Sequence, residues 1–376
     1  MTHPSEFPTS SSALTGLLPA CATPFTWSIL GPAAERALRR FYAELGHPLP
    51  AEPLAWRLTD GRPTLEGGLV DRADEALLSA WEEAAGSLKG RVLGSADRRL
   101  AAVVDGLLAD VPERLAAVRR WQERVQAMQW RQATVLQIME EIEPKAEATL
   151  WGQTALLAAL ALGRQIRSWL PPSADELAAR LAAGLADGVG QAAYRCALWE
   201  LEQTARQDGL DSERLAAAQA EFLGRYGGWA AEPLEATSPR WREAPQALRA
   251  YLAGRLAQPL GPAPLDPQEA ARRRAAAASQ AEEHVGMLRR RALAAAFERL
   301  QRLTELTAAA YEATVVVIET ARNWAIGAAQ EVVADGRLAA VEDVFLLELE
   351  ELKQVMTGEW SSPELVQGVV EKRRAR

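Results

Sequence analysis

The sequence predicts a mainly α protein, a multi-helix bundle with a minor β-hairpin or short strands. Three observations carry that expectation. Alanine, leucine, arginine and glutamate, all strong helix formers, dominate the 376 residues. Apolar residues recur at three- and four-residue spacing over long stretches, which is the helical period. Strand signals are confined to two short places, and no strand–helix–strand alternation occurs.

Residues 1–108 read as an N-terminal segment with a Pro-rich motif and a small hairpin. Pro8, Pro19, Pro24 and Pro32 punctuate any helix there. Residues 54–58 and 64–65 flank Asp60-Gly61, a short-hairpin signature because glycine accepts positive φ. Residues 109–258 read as a helical bundle. Its clearest helix start is Asp110-Val111-Pro112-Glu113, with a capping aspartate, a first-turn proline and a capping-box glutamate. Leu115, Val118, Trp121, Val125, Met128, Val135, Ile138 and Ile142 continue as one stripe, interrupted by Gln132, and Pro144 ends or bends it. Further helices are expected at about 145–170, 174–185, 189–208 and 212–226, with Ser173-x-x-Glu176 as a capping box and Pro171-Pro172 and Gly209 as breaks.

Residues 227–245 read as an ordered loop and 246–256 as a short helix. Residues 259–268, holding Pro259, Pro262, Pro264 and Pro267, read as a linker. Residues 269–376 form a C-terminal helical region packing on the bundle. Asp266-x-x-Glu269 opens it, Gly286 marks a kink or break, and Gly336 is the C-cap after a run to Asp335. Val344-Phe345-Leu346 reads as a brief strand before a helix carrying Leu349, Leu352, Val355 and Met356.

Composition excludes several functions. A hydrophobic fraction of 48% and a charged fraction of 24% are those of a globular protein. A formal charge of −8 argues against a nucleic-acid partner, which needs a basic face. Two cysteines, Cys21 and Cys196, and three histidines, His3, His47 and His284, do not make a disulfide scaffold or a His-rich metal centre. Residues 7–34 carry no charge but follow Glu6 rather than a basic start, and the apolar run 150–163 is too short to span a bilayer. The expectation is a cytoplasmic chain with no membrane partner and no metal.

Three segments carry a family resemblance. They are Leu17-Leu18-Pro19-Ala20-Cys21-Ala22-Thr23-Pro24-Phe25-Thr26-Trp27-Ser28-Ile29-Leu30-Gly31-Pro32; Phe222-Leu223-Gly224-Arg225-Tyr226-Gly227 with Ser238-Pro239-Arg240-Trp241-Arg242-Glu243; and the run from Glu342 to Leu352. In this order they resemble the central region of phosphoenolpyruvate-utilising phosphotransferases, a group that includes pyruvate, water dikinases (phosphoenolpyruvate synthases) and rifampicin phosphotransferase-like proteins. Two departures stand out. The family's His-Arg-Gly run after Tyr-Gly is Gly228-Trp229-Ala230 here, and the Ser/Thr that caps the last helix is Glu348, which weakens the cap. Both point to relaxed constraint or a changed role.

The resemblance also implies an ATP-grasp domain before this region and a swivelling phosphohistidine domain after it. Sixteen residues precede Leu17 and about two dozen follow Leu352, too few for either. The chain is therefore expected to be a noncatalytic central subunit or remnant. It would hold no cofactor itself; ATP, Mg²⁺ and the phosphohistidine would sit on separate ATP-grasp and phosphohistidine partners, with a small-molecule acceptor bound between them. The alternative is a stand-alone helical ligand-binding or scaffold protein.

No catalytic residue is assigned. His284 is read as mid-helix behind Glu282-Glu283, whose charge opposes a phosphate, and paired carboxylates such as Glu140-Glu141-Glu143 read as solvated faces. Arg272-Arg273-Arg274 and Arg289-Arg290-Arg291 do not share a stripe on a continuous helix. Trp121, Trp151, Trp169, Trp199 and Trp324 fall in helical patterns and read as core, whereas Trp27, Trp229 and Trp241 fall in loop-like segments. The substrate-binding candidates are Thr23, Thr26, Trp27, Arg240, Trp241 and Arg242: hydroxyls to orient a ligand, indoles to stack on it, and guanidiniums to hold an anionic group. The competing reading is that they tie an irregular loop onto the bundle.

Overall fold

Helical stripes account for most of the described residues. The computed structural model describes residues 9–86, 98–128, 132–171, 174, 177, 180, 185 and 189–375. Among these lie thirteen α-helices and one two-stranded sheet. The mainly α class with a minor hairpin is what the structure shows.

After a short helix α1 (Ser10–Leu14), α2 runs Pro24–Glu44. The prolines do not prevent it: Pro24 sits in its first turn, where no amide bond is lost, and Pro32 lies within it. Phe25, Ile29, Leu30, Ala33, Ala37, Leu38 and Phe41 make a continuous buried stripe, and burial of that stripe outweighs one missing backbone hydrogen bond. Trp27 is consequently helical rather than in a loop, with its indole lying over Gly31, where an added Cβ would come within 2.6 Å of the ring. The hairpin is β1 (Trp56–Thr59) and β2 (Arg62–Leu65), antiparallel with Thr59 opposite Arg62. Asp60 and Gly61 both have positive φ, as a tight two-residue turn requires. Helix α3 (Gly67–Gly86) follows.

The expected helix start at Asp110 is overridden. Helix α4 runs Arg98–Gln126 straight through Pro112, because Leu100, Val103, Val104 and Leu107 extend the same buried stripe as Val111, Leu115 and Val118. The stripe is also not one helix: a second, α5 (Gln132–Gln153), passes through Pro144, and α6 (Ala155–Trp169) begins after a break at Thr154. The apolar run 150–163 is buried on nearly every side of α5 and α6, so it is core. Among the described residues, no helix is long and apolar enough to cross a membrane. The helix expected at 174–185, with its capping box at Ser173, lies largely outside the described residues.

A 3-10 turn (Val189–Gln191) leads into α7 (Ala192–Asp208), and α8 (Glu213–Tyr226) is capped by the Ser212 hydroxyl. After the loop at 227–244 comes α9 (Pro245–Leu256). The proline-rich strap at 259–266 lies along α7: Trp199 Nε1 donates to the Gly261 carbonyl at 3.2 Å. Helix α10 (Pro267–His284) and helix α11 (Met287–Ala334) are separated at Val285-Gly286, close to the expected irregularity. The two arginine triplets therefore belong to different helices. Glycine 336 follows α11 with a φ of 74°.

At 48 residues, α11 is about 72 Å long and forms the axis of the molecule, with α4, α5 and α6 packed along it. The expected strand at 344–346 is instead part of a 3-10 helix (Val341–Leu346): no strand lies beside it among the described residues, and Asp343 accepts from the Ala340 N–H at 3.2 Å. Helices α12 (Leu349–Thr357) and α13 (Pro363–Arg374) close the chain.

Candidate functional site

The three segments that carry the family resemblance are far apart in sequence and meet in space at one junction. Residue Thr23 is the N-cap of α2, the loop at 227–244 packs on that end of the helix, and α11 passes beneath both.

Glu235 holds the first contact. Its buried carboxylate accepts from the Thr23 N–H (3.1 Å), the Thr23 hydroxyl (2.9 Å), the Thr26 hydroxyl (3.0 Å), and both the N–H and hydroxyl of Thr237 (3.0 Å each). In turn the Ala236 N–H donates to the Thr26 Oγ1 at 3.0 Å. The hydroxyls of Thr23 and Thr26 are thus engaged by a carboxylate 212 and 209 residues away. Neither Glu235 nor its role is visible in the linear sequence, although a threonine followed by a proline is a helix-start signal that marks Thr23.

Arg322 of α11 holds the second. Its Nη1 donates to the Ala236 carbonyl at 2.6 Å, and its Nε and Nη2 both reach Glu243 Oε2 at 3.1 Å. Arg240 is fully buried, donating to the carbonyls of Pro233 (2.8 Å) and Glu235 (3.4 Å) while its Nε has no partner among the described residues. Burial pushes its pKa down to about 10, with Glu319, Glu243 and Glu235 opposing that fall. Arg242 is the exposed member, its Nε 3.7 Å from the buried Glu319. Gln122 of α4 donates to the other oxygen of Glu319 at 3.2 Å. Burial raises the Glu319 pKa, and Arg242 and Arg240 oppose the rise.

The third contact joins the two ends of the chain. Phe25 meets Phe345 edge-on at 5.9 Å, and the Arg322 guanidinium lies 5.4 Å from the Phe345 ring. The Ser28 hydroxyl accepts from the Leu349 N–H at 2.9 Å. Glu348 makes no side-chain cap of its own, so α2 supplies a distant hydroxyl to the start of α12, while Glu351 accepts from the Glu348 N–H at 2.8 Å. Arg373 of α13 binds Glu348 and Glu351. The cap weakened by Glu348 is therefore replaced.

Trp241 is buried and its indole N–H donates to the Tyr194 hydroxyl at 3.0 Å, which itself donates to the Ala230 carbonyl at 2.6 Å. Of the six substrate-binding candidates, five (all but Trp27) enter this hydrogen-bonded junction, and Arg242 alone among those five is largely exposed. Beside it, Tyr194, Tyr226 and Trp229 form an aromatic cluster, with Trp229 ring centroids 4.5 Å from Tyr194 and 5.4 Å from Tyr226. This cluster is one wall of a cleft of about 160 Å³, closed on the other side by α10 and α11. Arg274, from the first arginine triplet, turns inward to line the cleft. His284 is the exposed last residue of α10 rather than a mid-helix residue, its Nδ1 3.0 Å from the Gln280 carbonyl. Among the described residues, no group of three or more acidic, histidine or cysteine side chains is placed to hold a metal.

No curated protein matches the chain. Residues 150–323, which include the loop, Arg322 and the aromatic cleft, match the family model of the rifampicin phosphotransferase fourth domain.

Proposed function

We propose that this chain is the central helical body of a phosphoenolpyruvate-utilising phosphotransferase system. It positions an ATP-grasp partner and a phosphohistidine partner and holds the acceptor between them, with the phosphoryl chemistry carried by those partners. The observation that carries the reading is the family match over residues 150–323. The construction of the junction supports it. Three carboxylates (Glu235, Glu243, Glu319) and three guanidiniums (Arg240, Arg242, Arg322) hold the loop, α2 and α11 in one arrangement. Glu235, Arg240, Glu319 and Arg322 are buried, and a network with a buried charged core is costly to rearrange, which suits a body whose task is to fix distances. Arg242, exposed at the rim and backed by Glu319, is the loop residue placed to meet an anionic group on an acceptor or a partner. Thr23, Thr26, Arg240 and Trp241 act in this reading by holding the loop that presents it, and Trp27 by packing α2.

Gentle affinity purification of the tagged full chain from the cells that make it is the test. Recovery of an ATP-grasp protein and a phosphohistidine protein, and acceptor phosphorylation by the complex with ATP and Mg²⁺, is expected. Isolation of the chain with neither, under cross-linking as well as without it, overturns the proposal in favour of a stand-alone ligand-binding or scaffold protein. The aromatic cleft is the observation that favours that second reading.

A further inference from the structure

Two routes of contact run from the loop at 227–244 to the C-terminal helices. The first passes through the opening turns of α2. Thr23 and Thr26 hold Glu235 and Ala236 of the loop, while Phe25 packs on Phe345 and the Ser28 hydroxyl accepts from the Leu349 N–H at the start of α12. Ser28 also donates to the Phe25 carbonyl at 2.8 Å, which ties these two residues to each other. Residue 28 lies about 200° around the helix from residue 26, so the two ties leave α2 on opposite sides of one rigid turn. The second route is Arg322, which grips the Ala236 carbonyl and Glu243 while its guanidinium faces the Phe345 ring.

Both routes end on the segment that fastens α13. Arg373 binds Glu348 and Glu351 and donates to the Leu346 carbonyl at 2.8 Å, and Arg374 pairs with Asp343. Phe25, Thr26, Arg322, Phe345 and Leu349 are all buried. Close-packed contacts of this kind transmit a displacement rather than absorb it, because no neighbouring void takes it up and water does not replace the lost bonds.

We propose that the loop at 227–244 and the pair α12–α13 are one cooperative unit, coupled through the first two turns of α2 and through Arg322. A change in how the loop is held, engagement of Arg242 included, is then felt at α13, and a change at α13 is felt at the loop. Coupling of this kind is reciprocal by linkage. It needs no partner domain, so its test uses the isolated full chain and its outcome is separate from that of the purification above.

The test is hydrogen exchange by mass spectrometry, read on peptides covering 230–244 and 349–374, with 155–169 in α6 as the reference. Glu235→Gln perturbs the loop end and Arg373→Met the α13 end, neither of them on α2 or α11. Glu235→Gln is expected to speed exchange of 349–374 at least about fivefold more than that of the reference, the lower end of ordinary coupling. Arg373→Met is expected to do the same to 230–244. Leu157→Ala, a cavity in the buried face of α6, lowers stability without that bias. Thr237→Ala, which removes one donor to Glu235, is the milder loop variant should Glu235→Gln fail to fold. Exchange of 349–374 that follows the reference in the loop variant that folds overturns the proposal. A response in one direction only overturns it too, since a true coupling acts both ways.

Discussion

Replacing Thr26 by valine tests whether the loop at 227–244 is held by the buried carboxylate or merely rests on the bundle. Valine keeps the volume and the β-branching and removes only the hydroxyl. Thr26 is fully buried, so water cannot substitute for that hydroxyl without opening the junction. Two bonds to the loop are lost, the donation to Glu235 and the acceptance from the Ala236 N–H, along with a 3.2 Å contact from the Thr23 hydroxyl. A hydrogen bond to a charged group contributes about 1.5–3 kcal/mol, and an orphaned buried N–H costs about 1–3 kcal/mol. Thr26→Val should therefore destabilise by about 3–5 kcal/mol, since part of each loss relaxes when neighbours shift. Thr26→Ser is the control. It keeps both bonds and sacrifices one buried methyl, about 0.8 kcal/mol. The assay is urea unfolding followed by circular dichroism, with hydrogen exchange of a peptide covering residues 230–244 as the local readout. Valine should lower the midpoint far more than serine at unchanged slope, and loop amides should lose protection. Equal effects of valine and serine, or unchanged loop exchange, would refute the argument that Glu235 and Thr26 fasten the loop.

Three further outcomes follow from the same coordinates. Glu319 has a pKa raised by burial, so the folded state binds more protons than the unfolded state above its ordinary value of 4.5, and stability falls as pH rises from there through the raised native value. Glu319→Gln keeps an oxygen for Gln122 and should flatten that part of the difference profile, measured by urea midpoints between pH 4.5 and 8; an unchanged slope would count against it. Tyr226→Phe removes a buried hydroxyl with no partner among the described residues and should leave the chain as stable as before or up to about 1 kcal/mol more stable by the same melts. Gly190→Ala would place a Cβ 2.4 Å from the Tyr311 Cβ, a backbone-proximal atom that cannot swing away, and should cost about 1–3 kcal/mol and broaden the Tyr311-region signals in NMR spectra.

Helical periodicity made the class of the fold legible, but not where helices begin. The Asp110-Val111-Pro112-Glu113 start signal is chemically sound, and α4 nonetheless runs through it because Leu107 and Val111 lie on one buried stripe. A proline removes one backbone hydrogen bond, whereas each buried leucine or isoleucine contributes roughly 1.5–3 kcal/mol, so tertiary burial decides at Pro32, Pro112 and Pro144 alike. Val344-Phe345-Leu346 has strand composition, yet a strand needs a neighbour to pair with, and here Phe345 packs on Phe25 instead. The site was legible only by halves. Thr23, Thr26, Arg240, Trp241 and Arg242 all stand at the junction, but their partners Glu235, Glu243, Glu319 and Arg322 were not, because nothing local pairs position 26 with 235 or position 243 with 322.

The packing of Gly228-Trp229-Ala230 shows how tightly these three positions are held. Under relaxed constraint the three positions would tolerate many residues. They do not. A Cβ on Gly228 would meet the Glu319 carboxylate at 2.6 Å, with that carboxylate itself held by Gln122 and facing Arg242. Trp229 is buried against Tyr194, and its carbonyl accepts from the Trp241 N–H at 2.9 Å. Ala230 is fully buried, with its carbonyl engaged by the Tyr194 hydroxyl. A cationic side chain at position 229 would place an unpaired charge among three aromatic rings, at a desolvation cost of several kcal/mol. The segment is therefore specified as tightly as the core. Trp229 belongs to the aromatic wall that faces the cleft.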